Sequence, residues 1–456
     1  MTETLAWVRH VSLAAITAFI VGPGTTAFAQ QQLPSAVAAP AIPDAAASDP
    51  VALGWMVGTP PPAEKVIRQS DGSFYRFPRT RWSFSHWREL FPTAHVSRGD
   101  GPVAPLPRAP TAADLESISF TPGTGGAPMT FAQALQAVYT DGVVVLHRGR
   151  IVYEKYFGAL DETRPHIAFS VTKSFFGTLA AMQVAEGALD ENAPVSRYIP
   201  ELAQSGFGDA TVRQVLDMTT ALDFTEDYAD PKSSFLEYAR AAGMFKRPPG
   251  TTGPDDVYSF ARTIAKSGPH GERFTYRSPN TDVVGWLVAR AAGNNTRPEA
   301  VLQERLWSRL GAEGDAYISV DPAGNAAAAG GLNVRLRDLA RFGEMMRLGG
   351  KFNGRQIVPA AVVERIRQGA NREHFAAANY QTMRGWSYRD QWWISHDDHG
   401  MFMARGIHGQ AIYVDPKAEM VIARFSSAPT ASTVTFDPIV LPAYRAVAEH
   451  LMTMEQ

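Results

Sequence analysis

Cysteine is absent from all 456 residues, which excludes disulfides, thiol nucleophiles, cysteine-ligated zinc and a cysteine-borne lipid anchor. No apolar run reaches the roughly 20 residues that a helix needs to cross a bilayer, so no membrane span is expected. Neither sign of charge is in excess: 43 Lys and Arg face 45 Asp and Glu, for a formal net charge of -2. Nothing basic clusters, so the electrostatic footprint of a nucleic-acid or anionic-membrane partner is missing. No Gly-x-Ser-x-Gly elbow occurs, so His408 has no such serine to serve in a conventional triad. Gly123-Thr124-Gly125-Gly126 lacks the Gly-Lys-Ser/Thr of a phosphate loop and reads as a flexible turn. Internal repeats at solenoid spacing are also missing.

What is present describes a globular protein long enough for one large domain or two to three ordinary ones. Arg9, the apolar stretch Val11 to Val21 and the small-residue site Ala27-Phe28-Ala29 read as an export signal over residues 1–29, cleaved after Ala29. A periplasmic or secreted protein is expected. Residues 30–62 are rich in Ala, Pro, Gln and Ser, have little to bury and are expected to stay disordered, with order beginning near Val66. The aromatics Phe77, Trp82, Phe84, Trp87 and Phe91 read as plain core packing.

Val143 to His147 and Ile151 to Tyr156 read as two strands around a turn. A long helix carrying Ser170 follows. Helical patterns then dominate at Val212 to Met218, Asp255 to Lys266, Thr281 to Ala292, with Thr281 as the cap, and Pro298 to Leu310. Leu336 to Leu348 is a further helix between glycine pairs, strands return at Gln410 to Val414 and Met420 to Phe425, and Ile439 to Met452 closes the pattern. The expected fold class is α/β, in its α+β form. An antiparallel sheet is built from both chain ends and flanked by helices, with a mostly helical lobe at about 188–330 inserted into a domain spanning 63–456.

Chemistry concentrates at three places. In Ser170-Val171-Thr172-Lys173 the serine and lysine lie three apart on one helix face, which brings a hydroxyl within reach of an amine. A serine in the first turn also has an unpaired backbone N–H to offer a developing oxyanion. The apolar neighbours Phe175, Phe176 and Leu179 would desolvate Lys173 and push its pKa toward that of a useful base. Second, Tyr276 stands on a loop before a helix, a position suited to a general acid or base. Third, the glycines of Gly406-Ile407-His408-Gly409 let a strand entrance approach closely, so the Ile407 N–H could complete an oxyanion hole with that of Ser170. His396-Asp397-Asp398-His399 cannot converge from one strand or helix and reads as a solvated loop, so no metal site is expected.

Together these elements resemble the serine beta-lactamase and penicillin-binding-protein superfamily, with its Ser-x-x-Lys, Tyr-x-Asn and Lys-Thr-Gly motifs. Within it the chain is similar to the class C-like 6-aminohexanoate-dimer hydrolases and related carboxylesterases. The likeness runs over Phe169 to Ser174, Val215 to Met218, Glu226 to Pro231, Tyr276 to Val283, Arg389 to Trp393 and Gly406 to Gln410, and extends upstream to Arg81 to His86. The resemblance implies that Ser170 is the acylated nucleophile, that Lys173 and Tyr276 share the proton traffic, and that Ser170 and Ile407 form the oxyanion hole. It further implies that Tyr228, Ser278, Trp393, Gly406 and His408 contact substrate. Ser278 stands where the beta-lactamase motif has asparagine, and Ala404-Arg405-Gly406 where Lys-Thr-Gly would be. Those departures remove groups that orient a lactam carboxylate, although Arg405 would offer one if turned inward.

The expectation is therefore an exported serine hydrolase of small esters or linear amides, working without metal or cofactor. A beta-lactamase or D,D-peptidase and a non-catalytic cell-wall-binding relative are the alternatives.

Overall fold

The computed structural model describes residues 42–110, 114–293 and 295–454, so the expected export signal lies outside the described residues. Its central feature is a seven-stranded antiparallel sheet made of β1 (Thr140–His147), β2 (Arg150–Tyr156), β3 (Ser387–Arg389), β4 (Trp392–Ile394), β5 (Phe402–Gly406), β6 (Gln410–Asp415) and β7 (Met420–Ser426). Their order across the sheet is β3-β4-β5-β6-β7-β1-β2. The seam between the two parts of the chain is the β7–β1 pair, where Ile422 lies opposite Val145 and Val421 opposite Leu146. The sheet is thus assembled from two stretches of sequence far apart, as the strand pattern predicts.

Both faces of this sheet are covered, which explains why β1 reads as a solid apolar run. Val144 and Leu146 point into a core shared with Phe175, Leu339 and Phe342. Val143 and Val145 point into the opposite one, shared with Tyr444, Val447 and Leu451. Period-two alternation is invisible when each alternate residue is buried. The helices that supply these layers are α1 (Val171–Ala185), α2 (Pro279–Ala292), α3 (Leu336–Arg347) and α4 (Asp437–Thr453). All but the last two residues of α1 are buried, as a helix that is apolar around most of its circumference should be. At Gly177 a Cβ would fall 2.1 Å from the Asp390 carbonyl oxygen, so glycine is what lets α1 lie against the β3–β4 turn.

A second, four-stranded antiparallel sheet delivers the chain to Ser170. It runs in the order Thr93–Val96, Ala316–Ser319, Leu332–Val334, His166–Ile167.

The mostly helical block at 188–330 also carries one strand of this second sheet, Ala316–Ser319. Several expectations need correction. The helical run from Pro298 to Leu310 contains a π-turn at Gln303–Trp307. Helix α2 begins at Pro279 with Ser278 in the cap position, and Thr281 instead donates to Gln391 Oε1 at 2.8 Å from inside the helix. Residues 42–62 are packed on the body despite their poor apolar content. Arg81, itself buried, donates to the Ala45 carbonyl at 3.2 Å and to Ser48 Oγ at 3.4 Å, and Tyr139 donates to the Pro43 carbonyl at 3.0 Å. Backbone oxygens, which composition does not reveal, anchor that segment.

The His396 to His399 run is only partly solvated. His399 is buried with Nδ1 at 2.6 Å from Asp415, while Asp398 faces solvent beside Lys417 and Arg445. Among the described residues no three His, Asp or Glu side chains are grouped to hold a metal ion.

Candidate active site

Ser170 occupies the N-cap position of α1, and Phe169 before it holds a left-handed φ of 43°. Such a backbone is costly for a bulky residue and persists only where the surroundings impose it. Here Phe84 and Trp87 grip the Phe169 ring at 4.9 and 5.7 Å between centroids. The serine hydroxyl is thereby presented at the mouth of the helix.

One turn on, Lys173 is almost wholly buried, and its Nζ lies 3.2 Å from Ser170 Oγ, 3.1 Å from Ser278 Oγ and 2.5 Å from the Ala329 carbonyl oxygen. All three neighbours are neutral. Burial pushes the lysine pKa down to about 8, against the opposing pull of the Glu226 and Asp282 charges. Those two acids stand one residue back. Ser278 Oγ donates to Glu226 Oε1 at 2.7 Å, and the Ser278 N–H donates to Glu226 Oε2 at 2.5 Å. Asp282 accepts from Tyr238 Oη at 2.6 Å and from the Ala329 N–H at 3.1 Å, and burial raises its pKa to about 7. Asp282 therefore holds the very residue whose carbonyl holds Lys173.

Tyr276 faces Ser170 from the other side, with Lys173 Nζ 5.2 Å from its ring centroid. Burial, reinforced by the Glu226 charge, holds the phenol well above its ordinary pKa, although the interaction with Ser170 favours its ionised form. Trp393 stacks on the same ring at 5.6 Å.

The end of β5 closes the third side. A Cβ on Gly406 would come 2.7 Å from the Ala168 carbonyl and 3.1 Å from the Ser170 backbone nitrogen, a separation only glycine allows. Ile407 follows at the rim. His408, by contrast, turns inward with φ 60°. Its Nδ1 lies 2.7 Å from the Ala428 carbonyl, which assigns the proton there, and Nε2 accepts from Tyr75 Oη at 3.0 Å. Burial lowers its pKa to about 4, so it is a neutral ring. His408, expected to contact substrate, lines neither recess beside Ser170; both ring nitrogens are committed, and the side chain braces the turn.

Two recesses open on either side of Ser170 and share Ser170, Tyr228 and Ile407. The first, with about 690 Å³ of empty space counting its mouth, is walled by aromatic and aliphatic side chains together with Ser278. The second, about 470 Å³, holds Tyr276, Tyr380, Trp393, Arg405 and Gly406. Arg405 does not offer a free cation. Its guanidinium bonds Asp437 at 2.5 Å and Thr433 at 2.8 Å and lies 5.2 Å over Trp393.

Every expected site residue except His408 thus converges here. Sequence reasoning gave no role to Glu226, Asp282 or the Ala329 carbonyl. Trp87 and Phe91 are core as read, buried in one aromatic cluster, and they also wall the first recess. The signal for Glu226 was its place at the head of the resembling stretch Glu226 to Pro231, two residues before Tyr228, whose hydroxyl donates to it at 2.6 Å.

Comparison with known proteins agrees with this arrangement. The Beta-lactamase family model matches residues 130–439. A 6-aminohexanoate-dimer hydrolase from Paenarthrobacter ureafaciens is 37% identical over 368 residues, covering 79% of this chain and 88% of the relative. A solved protein from Bacillus anthracis, provisionally described as a 6-aminohexanoate-dimer hydrolase, superimposes with a TM-score of 0.78 at 29% identity over 87% of this chain and 100% of its own. The fold alone is shared with EstCE1, a hydrolase with promiscuous acyltransferase activity (TM-score 0.54, 15% identity, 70% of this chain and 98% of that one). With a family match across most of its length and these two faces of one fold, the chain belongs to the Beta-lactamase family and is a serine hydrolase of that kind.

Proposed function

We propose that the protein hydrolyses carboxylic esters or linear amides through an acyl-enzyme on Ser170, with Lys173 as general base and Tyr276 as proton donor. The observation that carries this reading is the 3.2 Å approach of a buried lysine, with its pKa down to about 8, to Ser170 Oγ. A neutral lysine gives its two N–H bonds to Ser278 and Ala329, which leaves its lone pair for the serine proton. Ser170 Oγ attacks the carbonyl carbon, its proton passes to Lys173 Nζ, and the backbone N–H groups of Ser170 and Ile407 receive the oxyanion. Tyr276, protonated at neutral pH because burial raises its pKa, donates to the departing alcohol or amine and is reprotonated from Lys173. Water then repeats the sequence on the acyl-enzyme, and the net reaction consumes one water per bond broken.

The 37% identity to a 6-aminohexanoate-dimer hydrolase supports an amide as one substrate type. Lactam hydrolysis is disfavoured because Arg405, the one cation among the described residues that line the second recess, is already paired with Asp437. Ser170→Ala is expected to abolish organophosphonate labelling and the turnover of p-nitrophenyl acetate; labelling that survives in the variant would sink the assignment. The N-terminal sequence supports export with cleavage after Ala29, which mass measurement of the purified mature chain tests.

A further inference from the structure

The two recesses beside Ser170 differ in a way that bears on substrate, given the serine-hydrolase reading on which this step rests. Tyr276 lines only the second recess. A donor to the leaving group must stand on the leaving-group side of the scissile bond, so the acyl chain takes the first recess.

The walls of that first recess are aromatic and aliphatic, with Trp87, Phe91, Phe235, Ala242 and Met244 among them. Several polar atoms away from Ser170 are engaged by the protein itself, and no carboxylate is among the lining groups. Tyr238 Oη donates to Asp282, Tyr228 Oη to Glu226, and Ser319 Oγ accepts from Trp87 Nε1 at 2.7 Å. The Ala239 carbonyl accepts from the Met244 N–H at 2.9 Å, and the Ala327 carbonyl from the Gly330 and Gly331 N–H groups at 3.1 and 2.8 Å. The nearest carboxylates, Asp282 and Glu226, sit behind this wall with their oxygens already used.

We infer that the acyl subsite selects an uncharged, medium-length apolar acyl group and rejects a chain ending in an ammonium. An ammonium carried into this recess would lose its water and meet no carboxylate in the wall in exchange, a cost that falls on every step from binding onward. The 6-aminohexanoyl group carries an amine at its far end, so the selectivity of this chain differs from what the name of its relative describes.

A matched pair of esters tests this on the intact protein: p-nitrophenyl heptanoate and p-nitrophenyl 6-aminohexanoate share a leaving group and have chains of equal heavy-atom length. At pH 7, kcat/KM is expected to favour the heptanoate by about 100-fold, since a buried charge without a partner is far costlier than a buried methyl group. Equal or faster Ser170-dependent turnover of the aminohexanoate overturns the inference while leaving the serine-hydrolase reading intact. Turnover of neither ester, or turnover that persists in Ser170→Ala, sinks that reading and this inference with it. As a second measure, Ala242→Leu narrows the recess and is expected to lower the heptanoate-to-acetate ratio of kcat/KM about tenfold through overpacking; an unchanged ratio places the acyl chain elsewhere and overturns the assignment.

Discussion

Lys173 and Arg213 are both mostly buried cations, and they meet opposite fates. Arg213 stands among acids: its guanidinium bonds Asp390 at 2.7 Å, Asp217 at 2.9 Å and Glu191. Burial works against its charge, yet the Asp390 and Asp217 carboxylates outweigh that and hold it above the ordinary guanidinium value. Lys173 touches only two hydroxyls and a carbonyl, and burial wins. The lesson is that depth does not make a cation reactive. What matters is whether the counter-charge is in contact or held one residue away, as Glu226 and Asp282 are.

The contrast can be broken most sharply at Lys173. Lys173→Met is expected to lower kcat/KM for p-nitrophenyl acetate about 1000-fold without lowering the thermal midpoint, because a poorly compensated buried charge has been removed. A melt that collapses together with activity would mean the lysine holds the fold as Arg213 does. The reverse result is expected for Arg213→Met, which leaves Asp217 and Asp390 with only the longer contacts to Arg365 and Arg389, at 3.3 to 3.7 Å, and should cost about 3 kcal/mol in urea unfolding. Activity per folded molecule should stay within about threefold, since nothing in the reaction is routed through that cluster.

The smallest effect concerns pH. The base must be neutral, so kcat/KM is expected to fall as pH drops below about 8, where Lys173 becomes protonated. The Asp282 charge raises the lysine pKa, hence Asp282→Asn should move this acid limb toward lower pH. An unmoved limb in a folded variant would detach Asp282 from the lysine's titration.

How much of this could be read from sequence depends on how far each contact spans the chain. Ser170 and Lys173 share one helix turn, so spacing alone pairs them. Four strands of the large sheet, β1, β2, β6 and β7, were legible as runs, and their partnership across β7 and β1 followed from the order of elements; the short β3 and β4 and the strand β5 were not read. Tyr276 was visible as a loop residue before a helix, but its place opposite Ser170 came from resemblance rather than from any local pattern. Glu226 was beyond reach for a different reason: it lies on a loop without periodicity, and its work is to accept hydrogen bonds from Ser278 and Tyr228. The Ala329 carbonyl was invisible in principle, since a backbone oxygen has no letter in the sequence. The inward turn of His408 depends on Ala428, 20 residues on, and on Tyr75, 333 residues back.

The seam between β7 and β1 has a consequence for how activity arises during folding. Ser170 and Lys173 belong to an early helix, whereas Gly406 and Ile407 arrive on strands that must find β1 across the whole intervening chain. Long-range pairing of this kind comes late, because loop closure precedes the reward of contact. The wall opposite the serine is therefore in place only when the strands from the far end of the chain have joined β1, and the site is a product of the whole sheet rather than of one helix.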